Sequence, residues 1–151
     1  MRPTRKKYYM EITKLVAARS TCPRARVGAV LVEPDIQRIV ATGYNGAVRG
    51  APHCDEVGCM MEDNHCRRTI HAEMNAILHL EHSYNYLELY TTHQPCYQCT
   101  KALLAVRVKA VYYIHEYKDI IRDRIVGELR GVNNIWMFKY DDFQKRNNPL
   151  S

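Results

Sequence analysis

The chain has 151 residues, 46% hydrophobic and 25% charged, with a formal net charge of +6. That balance fits one globular domain, expected over 1–151, with enough apolar content to bury a core; it excludes a disordered or fibrous protein. No run approaches the roughly 18 consecutive apolar residues of a membrane span, and the basic start Met1-Arg2-Pro3-Thr4-Arg5-Lys6-Lys7 has no apolar region of a secretory signal behind it. A membrane partner is therefore not expected. The expected compartment is a reducing cytoplasm, or that of a host cell, where the six cysteines favour metal ligation over disulfides.

The periodicity predicts a helix over 7–19, with Tyr8, Tyr9, Ile12, Leu15 and Val16 on one face. Val27–Glu33 is apolar and β-branched and reads as a strand. Arg38–Gly43 reads as a second strand, joined to it by the turn Glu33-Pro34-Asp35. Residues 44–70 show little periodicity and form an insertion loop; a loop this long is functional or pinned by something other than a core. A helix is expected from His71 to His82, a strand over Leu87–Thr92, and a helix opened by Gln94/Pro95 and running to about Arg107. Lys109–His115 reads as a strand, Asp119–Arg130 as a helix and Val132–Phe138 as a last strand; the tail from Asp142 would be ordered only if docked. This α/β order implies a five-stranded sheet with helices on both faces. The first pair is antiparallel and the pairing otherwise largely parallel.

The basic residues are dispersed (Arg24, Arg26, Arg49, Arg67, Arg68, Lys101, Arg107, Lys109, Arg122, Arg124 and Arg130), with no arginine-rich tail. Most read as a solvated surface. No nucleic-acid partner is expected, and an anionic small substrate is the better reading of the few near the motifs.

Those motifs are His71-Ala72-Glu73 and Pro95-Cys96-Tyr97-Gln98-Cys99. His-x-Glu followed by Pro-Cys-x-x-Cys is the pattern of zinc-dependent nucleobase deaminases. One imidazole and two thiolates hold Zn²⁺ and leave the fourth tetrahedral position to water, which the metal activates as a nucleophile. Glu73, two residues past a ligand, is free to move protons as general acid and base. Cys96 and Cys99 share a helical face, and two helix N-termini converging on one metal favour the thiolates. A redox Cys-x-x-Cys pair would not need His-x-Glu upstream, and a structural zinc site would call for a fourth protein ligand. The remaining rivals are a tRNA or free-base purine deaminase, a non-catalytic zinc scaffold and a nucleic-acid module; a scaffold has no need of Glu73.

Cys54, Cys59 and Cys66 all fall in the insertion, with Cys22, His53 and His65 in addition. A second, structural Zn²⁺ held by four of Cys22, Cys54, Cys59, Cys66 and His65 would order a segment that has no core of its own. The competing reading is free cysteines in a polar loop.

The chain resembles the deoxycytidylate (dCMP) deaminase family of the cytidine deaminase-like superfamily. The resemblance lies in Ser20-Thr21-Cys22-Pro23-Arg24, Val27-Gly28-Ala29-Val30, Thr42-Gly43-Tyr44-Asn45-Gly46, Pro52-His53-Cys54-Asp55-Glu56, His65-Cys66-Arg67-Arg68-Thr69, His71–Ile77 and Thr92–Cys96, and covers about 8–118. It implies a three-layer αβα cytidine deaminase-like fold with a mixed five-stranded sheet. It implies hydrolysis of dCMP to dUMP and ammonia, which feeds dTMP synthesis. It also implies a homo-hexamer regulated by triphosphates, with dCTP and Mg²⁺ activating and dTTP inhibiting. The regulatory contact is expected near Gly43, Tyr44, Asn45 and Gly46. By the same resemblance Asn45 contacts the deoxyribose, against a simple turn role. Arg24, Arg26 and Arg68 are candidates for the phosphate, Arg24 and Arg68 by family position, against plain surface arginines. His93 and Tyr117 are candidates to line the base or sugar pocket, against a capping histidine and a packed aromatic.

Overall fold

The computed structural model describes residues 1–141; the tail from Asp142 lies outside them. Helix α1 spans Arg5–Ala17, two residues earlier at each end than the periodicity predicts. Thr4 sets the start, its hydroxyl accepting the Lys7 N–H at 3.3 Å. Strands β1 (Gly28–Glu33) and β2 (Arg38–Tyr44) form the expected antiparallel pair. The buried Glu33 carboxylate closes their turn by accepting the N–H groups of Asp35 and Ile36.

The insertion is more structured than expected. It holds β3 (Gly46–Ala47) paired with β6 (Thr69–Ile70), a short helix α2 (Cys54–Val57), and a hairpin of β4 (Met61–Glu62) and β5 (His65–Cys66). Asp63 and Asn64 turn that hairpin, both left-handed at φ 48° and 62°. A two-residue turn of this kind matches strand twist, and Asp and Asn tolerate it.

Helix α3 covers Ala72–Leu78, β7 Leu87–His93, α4 Tyr97–Ala105, β8 Val108–His115, α5 Ile120–Glu128 and β9 Trp136–Lys139. Most expected boundaries shift by a residue or two, and three shifts have a visible cause. Helix α3 stops short of His82, where the polar run Glu81-His82-Ser83 offers no apolar face. Helix α4 starts after Pro95, with Cys96 as its N-cap. Strand β9 starts at Trp136 instead of Val132, because Gly131, Asn133 and Asn134 close a turn: the Gly131 N–H donates to Asn134 Oδ1 at 2.8 Å.

The sheet order is β2-β1-β7-β8-β9. The β1–β2 and β1–β7 pairs are antiparallel, and β7–β8 and β8–β9 parallel, so the sheet is mixed, as the family resemblance implies, with an antiparallel β1–β7 pair that the element order alone did not suggest. Only β7–α4–β8 and β8–α5–β9 are strand–helix–strand crossovers that bring the chain back in the same direction.

Strand alternation divides the core between two faces. Ala29, Leu31, Leu87, Leu89 and Val111 pack with Ala72 and Ala76 of α3 and Leu103 and Leu104 of α4. Val30, Val32, Tyr90 and Tyr112 pack with Tyr9 and Met10 of α1. Each fully buried Leu or Val contributes about 1.5–3 kcal/mol. Two glycines let the helices lie close: a Cβ on Gly28 would strike the α1 backbone at Thr13 and Ala17, and one on Gly43 the α3 backbone at Ala72 and Ala76.

On the α1 face, register stacks Tyr90, Tyr112 and Phe138 across β7, β8 and β9, with ring centroids 4.9 and 5.4 Å apart. Burial, with the Glu88 carboxylate beside it, pushes the Tyr90 phenol well above its ordinary value. A phenol raised in the fold gives stability that is fully present below its unfolded pKa, about 10, and lost as pH rises toward the folded value. Thermal stability should therefore fall above pH 10, by about 1.4 kcal/mol per pH unit from this group. Tyr90→Phe should flatten that slope. Parallel melting curves for parent and variant between pH 9 and 11 would refute it.

Candidate active site

Helices α3 and α4 pack side by side on one sheet face, and their N-termini meet. His71 is the N-cap of α3 and Cys96 the N-cap of α4, and neither side chain makes a capping hydrogen bond. Both are left to face each other. His71 Nδ1 lies 3.4 Å from Cys99 Sγ and 3.7 Å from Cys96 Sγ, and the three ligand atoms fall within 4.8 Å of one another. Tetrahedral zinc with ordinary Zn–N and Zn–S bonds needs donor separations of about 3.5–3.8 Å, so the set fits the metal.

The electrostatics agree with that use. The hydrogen bond from Cys99, then that from His71, holds the Cys96 thiol down at about 4 against its burial. Cys99 is pushed up by the same hydrogen bond between the two sulfurs, by burial and by Glu73. The bond to Cys96 raises His71.

Glu73 is 4% exposed, and burial pushes its carboxyl upward. Its helix is clamped to the end of β2: Gly43 lies beneath it, Asn75 Nδ2 donates to the Tyr44 carbonyl at 2.8 Å, and the His79 ring meets the Thr42 carbonyl at 3.2 Å.

His71, Glu73 and Cys96 open into a cavity of about 280 Å³, also lined by Arg24, Asn45, His93 and Tyr117. Arg26 and Arg68 do not line it: Arg68 Nε donates to the Gly58 carbonyl at 3.2 Å, and Arg26 is exposed. Arg24 bonds two neutral acceptors, Met61 Sδ at 3.0 Å and Asn64 Oδ1 at 3.3 Å, and pairs with no carboxylate among the described residues. Asn45 is largely spent on the backbone. Its Oδ1 accepts the Val27 N–H at 2.9 Å and the Ser20 hydroxyl, and its Nδ2 donates to the Ala25 carbonyl at 2.8 Å. One amide hydrogen remains. His93 is lowered by burial and by the neighbouring His115, whose ring centroid is 4.8 Å away, and so stays neutral.

Cys54, Cys59 and Cys66 converge, with ligand atoms within 4.8 Å of one another and Cys54 and Cys66 Sγ 3.6 Å apart. Burial pushes the Cys54 thiol up to about 12. Burial opposes the ionisation of Cys66, but the backbone N–H groups of Arg68 and Met60 outweigh it and bring the thiol down to about 7. Cys22 is buried and close enough for its charge to raise Cys59. His65 does not join this cluster. Its ring stacks on His71 at 6.3 Å between centroids, and its Nε2 lies 3.4 Å from the Tyr117 hydroxyl, so it is a wall of the cavity.

Sequence reasoning did not find Gln94, Asn64 and Thr69, which also line the cavity. Gln94 was within reach, two residues before a ligand. Asn64 carries no local signal beyond a turn, and the hairpin brings it to the cavity.

Residues 3–115 match the family model described as the cytidine and deoxycytidylate deaminase zinc-binding region. A ComE operon protein 2 of Bacillus subtilis is 48% identical over 114 residues, 74% of this chain and 59% of that protein. The chain thus spans about three-fifths of that relative's length. A deoxycytidylate deaminase of Mycobacterium phage D29 is 34% identical over 127 residues, 76% of this chain and 98% of that one. Among solved structures, a dCMP deaminase from cyanophage S-TIM5 in complex with dCMP and dUMP superposes with a TM-score of 0.72 at 33% identity, covering 92% of this chain and 98% of that one. No helix among the described residues is long and apolar enough to cross a membrane.

Proposed function

From the premise that the chain belongs to the cytidine and deoxycytidylate deaminase family, we propose that it converts dCMP and water to dUMP and ammonia. The observation that carries this reading is a complete His71, Cys96 and Cys99 set beside the buried Glu73, in one cavity where Arg24, the sole arginine among the described lining residues, pairs with no described carboxylate.

His71, Cys96 and Cys99 would hold a zinc ion, whose Lewis acidity makes water nucleophilic at neutral pH. Glu73 takes a proton from the attacking water and passes it to N3 of cytosine as the oxygen adds at C4. It then delivers the second proton to the departing amine as the C4–N4 bond breaks. Burial suits the task, because a carboxyl raised toward neutrality can both accept and return a proton. The remaining Asn45 amide hydrogen is placed to reach the sugar, and His93 and Tyr117 wall the base. Arg24 is set to take the 5′-phosphate at the price of two weak neutral contacts.

We place a second zinc on Cys54, Cys59 and Cys66, with Cys22 as the fourth ligand. Homo-hexameric assembly and regulation by dCTP with Mg²⁺ and by dTTP through Gly43–Gly46 are supported by the family resemblance.

Substrate kinetics test the reading. dCMP should be turned over far better than deoxycytidine. Arg24→Gln should raise KM for dCMP about 10–100-fold, the worth of a charge-assisted hydrogen bond of about 1.5–3 kcal/mol, and leave deoxycytidine unchanged. Equal turnover of both substrates refutes the mononucleotide reading, and preferred turnover of adenosine or tRNA selects the purine rival. Hyperbolic dCMP kinetics, unmoved by either triphosphate, would remove the regulatory part.

A further inference from the structure

The buried side chain of α5 is a cation: Arg122, 2% exposed. It was expected among the dispersed surface arginines. A buried charge is costly unless every donor is used. Arg122 Nη1 donates to the carbonyls of Pro95 at 3.0 Å and Tyr117 at 2.6 Å. Nε and Nη2 reach Asp123 Oδ1 at 2.9 and 2.8 Å. Pro95 directly precedes the ligand Cys96, and Tyr117 is a wall of the cavity.

Asp119 works beside it. Its Oδ1 accepts the Arg122 N–H at 2.9 Å, capping α5. Its Oδ2 accepts the Tyr97 N–H at 2.7 Å, at the start of α4. The first N–H groups of a helix have no partner within it, and the N-cap side chain ordinarily supplies one. Cys96 occupies that position in α4 and supplies none. A sulfur turned onto the α4 backbone would be turned from His71. Tyr97 is the first residue of α4, whose N–H an N-cap side chain does not reach in any case, and the next helix provides its acceptor from outside. Two more bonds tie the same loops: the Gln94 N–H donates to the His115 carbonyl at 2.8 Å, and the Tyr117 N–H to Gln94 Oε1 at 3.3 Å.

Resting on the metal reading of His71, Cys96 and Cys99, we infer that Asp119 and Arg122 are positioning residues. They satisfy the Tyr97 N–H and the Pro95 carbonyl on either side of Cys96, and so keep its sulfur aimed at the metal. Groups that orient metal ligands typically change metal affinity by about 10–100-fold when removed.

The test is metal binding, read apart from turnover. Parent, Asp119→Ala, Asp119→Asn, Arg122→Lys and His71→Ala proteins are titrated with Zn²⁺ against a chelator and then loaded with Co²⁺. The absorption bands lost in His71→Ala identify this site. Asp119→Ala should bind metal there about 10–100-fold more weakly, with shifted thiolate-to-cobalt bands. Asp119→Asn keeps one acceptor oxygen for two N–H groups and should fall between. Arg122→Lys replaces a forked donor by a point charge and should also weaken binding. Affinity within about twofold of the parent and unchanged bands in Asp119→Ala would overturn the inference, even if its melting temperature falls. If that variant does not fold, the same result in Asp119→Asn and Arg122→Lys overturns it. If His71→Ala loses no metal, the metal reading itself fails and the inference goes with it.

Discussion

Replacing Glu73 with Gln should lower kcat for dCMP by about 10²–10⁴-fold, the usual worth of general acid–base catalysis, and leave metal content at the parent level. The amide matches the carboxyl in size, so the 4% exposed pocket beneath α3 stays filled. His71, Cys96 and Cys99 make up the proposed ligand set without it. What is lost is the ability to take a proton from water and return it at N3 and then at the amine. Zinc content by elemental analysis and dCMP binding by calorimetry separate this loss from collapse of the site. A Glu73→Gln protein that keeps near-parent turnover would exclude Glu73 as the proton carrier.

Replacing Cys54 with Ser should remove one of two zinc ions per chain and lower the melting temperature by about 10 °C or more. A closed structural site contributes several kcal/mol to folding, and for a chain of this size each kcal/mol is worth roughly 2–4 °C. The insertion has little else to hold it. Met61 and Glu62 of its hairpin are exposed, and β3, β4, β5 and β6 are two residues each. Activity should fall as well, because the neighbour of Cys66 is His65, which stacks over His71. Chelation of the parent should then show two phases, loss of turnover first and loss of thermal stability second. One zinc per chain in the parent, with an unchanged melting temperature in Cys54→Ser, would eliminate the second site.

The candidate site was legible from sequence because its parts are local. Glu73 follows His71 by two positions at one helix start, and Cys96 and Cys99 stand one turn apart at another; any fold that makes those helices keeps those relations. Strand alternation was legible for the same reason: Val30 and Leu31, or Leu89 and Tyr90, must point to opposite faces. The grouping of Cys54, Cys59 and Cys66 followed from their crowding into a segment without a core, and those three sulfurs do converge.

What tertiary structure alone decided is which loops meet. His65 and Cys66 both line the cavity, but only Cys66 joins the cysteine cluster, while the His65 ring turns to His71 and Tyr117. Arg24 lines the cavity while Arg26 and Arg68 do not, although composition treats them alike. The antiparallel β1–β7 pair places the Asn45 loop beside α3, and the parallel β7–β8 pair brings Asp119 and Arg122 against the backbone around Cys96. Spacing along the chain encodes neighbours within one element. Contacts across 20 or more residues, such as Tyr97 to Asp119 and Pro95 to Arg122, exist only once strand order and crossover direction are set by the burial of the whole sheet.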